Sequence, residues 1–140
     1  MKSDADVPNI LKNDGVTHSV YDQANREQAS VPDIVAKYGK NTSWSHTLVD
    51  SASNSATLIC QLPGEGNRRH HHPDWNEWWY IYEGVWEWEI EGVKKEIKAG
   101  DVVFIERNRK HKITARGDSA AIRIAVSRYD VAHVYEDPDY

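Results

Sequence analysis

From residue 41 onward the sequence consists of short apolar runs separated by turn residues. Each run has the length of a strand, is rich in β-branched and aromatic residues, and is bounded by Gly, Asn, Asp or Pro. The runs are SWSHTLVD, ATLICQL, EWWYIYEG, VWEWEIEG, DVVFIE, HKITA and AIRIAVSRY. Helical signals occur only earlier, at residues 21–29 and 32–38, with Pro32 suited to a first helical turn and Gly39 to a stop. This pattern predicts a small β-sandwich or barrel.

The length of 140 residues favours one domain with one core. We divide the chain into an N-terminal arm with short helices at residues 1–41, a barrel at residues 42–132, and a polar C-terminal tail at residues 133–140.

Composition excludes several classes of partner. The formal net charge of -5 argues against a nucleic-acid backbone as partner. No apolar run approaches the roughly 20 residues of a membrane span, and the first ten residues lack the apolar core of a signal peptide. The single Cys60 agrees with a reducing compartment, so we expect a cytoplasmic protein.

The segment RRHHHPDWNEWWYIYEG, residues 68–84, concentrates candidate metal ligands. On a strand, alternate side chains share a face, so His70 and His72 point the same way. Glu77 opens the next predicted strand and can turn toward the same interior, and His111 offers a third imidazole from a later strand. Imidazoles with a carboxylate suit first-row divalent metals.

The spacing of these residues resembles the two sequence motifs of the cupin superfamily. The first motif is present without a gap, as Gly64, five residues, His70, one residue, His72, four residues, Glu77, six residues and Gly84. Residues 100 to about 115, with Gly100 and His111, resemble the second motif. Three positions depart from the second motif: Glu106 replaces a proline, Asn108 replaces a glycine, and Ala115 stands where asparagine is frequent.

This resemblance implies an all-β cupin barrel, a double-stranded β-helix or jelly roll, here with a short N-terminal helical extension. It also implies one divalent metal ion held by His70, His72, Glu77 and His111. We expect Fe(II) first, with Mn, Ni, Cu or Zn as the alternatives.

Further residues suggest a substrate site and a partner. Arg68 shares the face of His70 and is the best candidate to bind a substrate anion. Trp79 and Trp86 are expected to wall the cavity, and Arg123 could also reach inside. On the opposite strand face, an apolar stripe suggests a homodimer; its members are Trp78, Tyr80 and Tyr82.

Cupins with this ligand set include dioxygenases, oxalate decarboxylases, lyases and isomerases, so the fold does not determine the reaction. We expect a metal-dependent enzyme acting on a small organic acid or related anion, with a non-haem iron-type dioxygenase that uses O2 as the leading hypothesis. One alternative is a lyase, decarboxylase or isomerase that does not use O2. The other is a cupin that binds a small ligand without converting it. Beyond the metal centre, the sequence does not identify a catalytic residue.

Overall fold

The computed structural model of the chain describes residues 19–20, 24–128 and 133–135, and this part forms one helix and eleven strands. In chain order the elements are β1 Ser19–Val20, α1 Val31–Tyr38, β2 Trp44–Asp50, β3 Ser55–Gln61, β4 Gly66–His71, β5 Glu77–Glu83, β6 Val85–Ile90, β7 Val93–Lys98, β8 Val102–Ile105, β9 His111–Arg116, β10 Ala121–Ser127 and β11 Val134–Tyr135. No helix in the described ranges has the length and apolarity needed to cross a membrane.

The strands form two sheets with the strand order of a jelly roll. The larger sheet has the order β1-β2-β3-β10-β5-β8, and the smaller has the order β11-β4-β9-β6-β7. All pairings are antiparallel except that of β1 with β2. The predicted all-β jelly-roll barrel with a short N-terminal helix is therefore confirmed.

The barrel interior is built by strand alternation, as the sequence predicts. On β5, Trp79 and Ile81 are buried, while Trp78 between its buried neighbours is exposed. On β6, Trp86 and Trp88 are buried against them in the same core cluster. Large aromatic side chains thus fill the space between the two sheets, where they bury the most apolar area.

The outer face of the larger sheet is covered over one half by α1. The helix begins after Ser30, whose side chain accepts a hydrogen bond from the Asp33 backbone N–H, and it ends at Gly39, which has a positive φ of 74°. Its apolar side packs on a second core cluster that includes Trp44 and Cys60. Burial raises the pKa of the Cys60 thiol to about 12, as expected for a cysteine that serves packing.

Several local predictions differ from the structure. Residues 24–29 form turns instead of a helix, with Asn25 at a φ of 64° and hydrogen-bonded through its side chain to the Asp50 backbone. The rest of that predicted helix, residues 21–23, lies outside the described residues, as does most of the predicted arm.

Two strands were not predicted as such, and one side chain lies differently. β7 is a strand although its sequence, VKKEIK, is mainly charged, because it pairs with β6 along its whole length. β11 falls in the segment predicted as a polar tail and pairs with β4. Glu89 alternates with the inward-facing Trp88 along β6 and so belongs to the outer face, yet it is 7% exposed and forms an ion pair with Arg69.

Candidate metal site

Three histidines meet inside one end of the barrel. His70 lies on β4 directly opposite His111 on β9, and His72 follows the end of β4. All three are 1% exposed. Their candidate ligand atoms lie within 4.8 Å of one another. Among the described residues, these three histidines form the group of His, Cys, Asp or Glu side chains that could hold a metal ion. The pairing of β4 with β9 therefore joins the two cupin motifs at one point.

Backbone hydrogen bonds orient two of these imidazoles. Nδ1 of His70 lies 2.6 Å from the Arg68 carbonyl oxygen, and Nδ1 of His111 lies 2.8 Å from the Arg109 carbonyl oxygen. A carbonyl only accepts, so each Nδ1 carries the proton and each Nε2 keeps a lone pair. Nε2 of His111 is buried without a hydrogen-bond partner among the described residues. These features match a metal-binding imidazole, whose second nitrogen usually donates to a carbonyl or carboxylate.

The electrostatics of the cluster keep His70 and His111 neutral. Burial, followed by repulsion from the neighbouring imidazoles, lowers the pKa of His70 well below its usual value. Burial also lowers the pKa of His111 to about 4, although Glu77 acts in the opposite direction. A neutral imidazole is the form that binds metal, so the site is ready to accept a cation at neutral pH.

Glu77 supplies a carboxylate beside the histidines. One of its oxygens lies 3.2 Å from Nε2 of His72, and the other accepts a hydrogen bond from the indole N–H of Trp79. Burial by itself would raise the pKa of Glu77, but charge attraction and hydrogen bonding to His72 lower it to about 2. The carboxylate is thus ionised while it is buried; it lies beside His72 but outside the group of three histidines whose ligand atoms are within 4.8 Å of one another.

Two indoles close the barrel beneath this cluster. The rings of Trp79 and Trp88 are 4.8 Å apart, and each lies within 6.0 Å of the His111 ring. Both side chains are 1% exposed. Trp79 thus lies beside His111, and its predicted role as a wall of a substrate cavity stays a prediction.

Arg68 is buried on the same strand face as His70, at 7% exposure. Its guanidinium lies 4.0 Å from the centre of the Tyr135 ring, and that ring is 5.5 Å from the His70 ring. The structure thus places Arg68 one aromatic ring away from the histidine cluster. Whether Arg68 binds an anion there remains a prediction.

The other two predicted substrate residues lie deeper in the barrel. Along β6, Ile90 pairs with His111, Trp88 with Ile113, and Trp86 with Ala115. Trp86 precedes Ile90, the residue paired with His111, by four residues, which is about 13 Å along a strand. Arg123 is fully buried beside it, 4.6 Å from the Trp86 ring, with one guanidinium N–H donating to the Gln61 side chain. The structure does not bring this pair to the histidines, because Trp79 and Trp88 intervene.

The tertiary structure adds a fourth imidazole that the sequence did not single out. His133 lies just before β11, with its ring 4.6 Å from that of His72 and 5.0 Å from that of His70. These distances match those within the triad, which range from 4.3 to 5.1 Å. Its sequence neighbourhood carries no motif. Only the pairing of β11 with β4 brings His133 and Tyr135 to the site.

One departure from the second motif has a structural account. Asn108 adopts a φ of 68°, in the left-handed region that the usual glycine would occupy. Its backbone N–H donates to the His72 carbonyl oxygen at 2.8 Å. Asn108 therefore preserves the turn before β9, which carries His111, and its hydrogen bond links this turn to His72.

The family model described as the cupin domain matches residues 57–127. Among curated proteins there is no match. Among solved structures, the polyketide cyclase RemF from Streptomyces resistomycificus is 18% identical, with a TM-score of 0.65 over 81% of this chain and 87% of that one.

Two further solved structures show the same fold. A conserved protein with a double-stranded β-helix domain from Klebsiella pneumoniae is 18% identical, with a TM-score of 0.64 over 80% of this chain and 100% of that one. An oxalate oxidase is 20% identical, with a TM-score of 0.55 over 60% of this chain and 46% of that one. At these identities the likeness concerns the fold alone. Because the cupin domain model covers half of the chain, and the described strands form the corresponding barrel, the chain belongs to the cupin family.

Proposed function

We propose that this chain is a metal-dependent enzyme that acts on a small organic anion, and that dioxygenation with Fe(II) is the first reaction to test. The observation that carries the proposal is the buried cluster of His70, His72 and His111, in which Nε2 of His111 has no protein hydrogen-bond partner in the described ranges. Glu77 would complete the ligand set. A bound divalent ion would act there as a Lewis acid and, if it is Fe(II), would support reaction with O2.

The side chains around the cluster would bind and orient the substrate. Arg68 has a planar guanidinium that can hold a carboxylate by two hydrogen bonds. Trp79 and Trp88 would exclude water from the inner side of the site, which strengthens electrostatic contacts. We also propose a cytoplasmic location, because the one cysteine of the chain, Cys60, is a buried free thiol that suits a reducing compartment.

A second candidate function is a lyase or isomerase that does not use O2. His133 and Tyr135 favour it, because they add hydrogen-bonding groups beside His70 that a non-redox mechanism can use. Solved structures with a similar fold include both an oxalate oxidase and a polyketide cyclase, so an assay must decide the reaction. A cupin that only binds its ligand is the third possibility, which turnover of any substrate would exclude.

The metal site is tested by metal content after reconstitution with Fe(II), Mn(II), Ni(II), Cu(II) or Zn(II). We expect close to one equivalent in the wild type and almost none in His72→Ala. His71→Ala is the matched control, because His71 directly precedes His72 but lies outside the three-histidine group, and it should retain metal. Less than about 0.2 equivalents in the wild type with every metal would refute the site.

Substrate and reaction are tested with the metal-loaded enzyme. Oxygen consumption and product formation are screened over small carboxylic acids, with and without O2. For any substrate found, Arg68→Ala should raise KM roughly ten- to hundredfold at unchanged metal content, because one charge-assisted contact is lost. Arg68→Lys should recover part of this loss, since a point charge lacks the bidentate geometry. An unchanged KM in Arg68→Ala would show that Arg68 does not bind the substrate.

A further inference from the structure

The short strand β11 borders the three-histidine cluster beside β4, at the edge of the smaller sheet. The two strands are antiparallel, with Tyr135 opposite His70. Continued in the same register, the pairing brings His133 opposite His72. Side chains at facing positions of an antiparallel pair point to the same face and stand about 5 Å apart. His133 therefore belongs to the face of the sheet that carries the histidine cluster.

The position of the His133 ring agrees with this register. Its centre is 4.6 Å from that of the His72 ring and 5.0 Å from that of the His70 ring. It meets the His72 ring edge-on at 83°, close to the 81° between the rings of His70 and His72. Four imidazoles thus lie together at one end of the barrel.

The imidazole of His133 is also within electrostatic reach of the cluster. Burial is the main cause that lowers the pKa of His70, and repulsion from neighbouring imidazoles, His133 included, adds to it. At Glu77 burial raises the pKa, whereas attraction to the imidazoles, again including His133, lowers it to about 2. His133 therefore belongs to the same electrostatic centre, although it comes from a different strand.

His133 differs from the other three histidines in how firmly it is held. It lies outside the group whose ligand atoms are within 4.8 Å of one another, and it is half-buried, whereas the other three are 1% exposed. In the described part of the chain, β11 pairs with β4 through two residues. Such a short terminal strand has low local stability, and rotation about χ1 and χ2 moves an imidazole between staggered positions. His133 can therefore turn further toward the cluster without disturbing the barrel.

We propose that His133 is a further ligand of the metal site, supplied by β11, and that metal binding fastens β11 to β4. This inference rests on the metal site of the proposed function and extends it by one residue. Imidazole donors suit Zn, Cu, Ni and Fe, whereas Mn prefers oxygen donors. A fourth imidazole should therefore shift the preference of the site away from Mn. Because a ligand stabilises the state that binds it, β11 should be more stable with metal than without.

The first measurement is nuclear magnetic resonance of the full-length chain with 15N-labelled histidines, titrated with Zn(II). A ring nitrogen that binds the ion undergoes a large shift, so the ligands are counted one by one. We expect this shift for four of the seven histidines. The fourth signal should be missing from His133→Phe, which keeps an aromatic ring but has no donor nitrogen.

The counts separate the inference from the proposed function. Three shifted histidines without His133 would overturn the inference and leave the metal site intact. A wild type in which no histidine shifts would refute the metal site, and the inference with it.

The second measurement is the dissociation constant for Zn(II), by competition with a chromophoric chelator. His133→Phe should weaken binding at least about tenfold, because loss of even a supporting residue of a metal site has an effect of that size. Val134→Ala is the matched control. Val134 lies on β11 between His133 and Tyr135 and points to the other face, so this variant should bind as the wild type does. Equal affinity in His133→Phe and the wild type would overturn the proposal.

Hydrogen exchange tests the fastening of β11. In the wild type, the amides of Val134 and Tyr135 should exchange several-fold more slowly with Zn(II) than without it. The amides of β7, at the opposite edge of the same sheet, should not change. In His133→Phe, Zn(II) should leave the exchange of β11 unchanged. Equal protection in the variant and the wild type would overturn the proposal, because the ligands on β4 would then account for it.

Discussion

Trp79 connects the barrel core to the metal ligands through one hydrogen bond. Its indole N–H donates to Glu77, whose other oxygen faces His72. Trp88 is its natural counterpart, since it is equally buried and packs on both Trp79 and His111. Trp79 both fills space and donates a hydrogen bond to Glu77, whereas Trp88 is described here only by its packing. Comparing the two residues therefore distinguishes the effect of packing from the effect of orienting Glu77.

Replacement of Trp79 by Phe should weaken metal binding roughly ten- to hundredfold, because Glu77 loses the donor that fixes its orientation. Trp88→Phe removes an indole of similar burial and should change metal affinity much less. Dissociation constants are measured by competition with a chromophoric chelator, after circular dichroism confirms that both variants are folded. Equal losses in the two variants would show that packing alone, and not the hydrogen bond to Glu77, accounts for the effect.

At the scale of elements, the pairing of β4 with β9 determines whether the site exists. The two strands approach so closely at Gly66 that a Cβ there would lie 1.8 Å from the Ile113 carbonyl oxygen. Gly66 opens β4, which carries His70, and it lies opposite Thr114 on β9, which carries His111. A glycine outside the ligand set thus controls the distance between two ligands.

Gly66→Ala should therefore destabilise the protein by at least about 3 kcal/mol, because the added methyl group meets backbone that cannot rotate away. Metal affinity should fall as well, since β4 and β9 must separate. Gly92→Ala is the control: at a φ of 81° it meets nothing within 4 Å, and it should cost only about 1–2 kcal/mol with metal affinity unchanged. Urea denaturation and metal titration measure both quantities. Wild-type metal affinity in folded Gly66→Ala would contradict this account.

For the whole molecule, burying neutral histidines makes stability depend on pH. The pKa of His111 is lowered to about 4 in the folded state, and that of His70 is lowered well below the ordinary value of 6.5. As the pH falls below 6.5, the unfolded chain binds protons that the folded chain does not. The free energy of unfolding therefore decreases, by about 1.4 kcal/mol per pH unit for each such proton. Above pH 6.5 this contribution is fully present.

The prediction is tested with protein freed of metal by a chelator. Urea denaturation at pH 7.5, 6.5, 5.5 and 4.5 should give a free energy of unfolding that is nearly constant between the first two values and then declines. His111→Gln replaces a titrating group with a neutral one and should show a shallower decline. If the wild type is as stable at pH 4.5 as at pH 7.5, the buried histidines are not the neutral, desolvated groups described here.

The sequence by itself determined the all-β class, the faces of β5 and β6, and the proximity of His70 to His72. These features follow from alternation along a single strand, which neighbouring residues alone establish. The spacing of the motif residues also carried the cupin resemblance.

Only the tertiary structure decided which distant segments meet. The pairing of β11 with β4 brings His133 beside the three histidines. The register of β5 and β8 places Phe104 opposite Trp78, and the pairing of β6 with β9 places Trp86 farther from His111 than Trp88 is. An unpatterned segment such as the one before β11 gives no local sign of its partner, because strand pairing is stabilised by contacts between residues far apart in sequence. Such contacts depend on register, and a shift of one residue would turn every side chain of a strand to the opposite face.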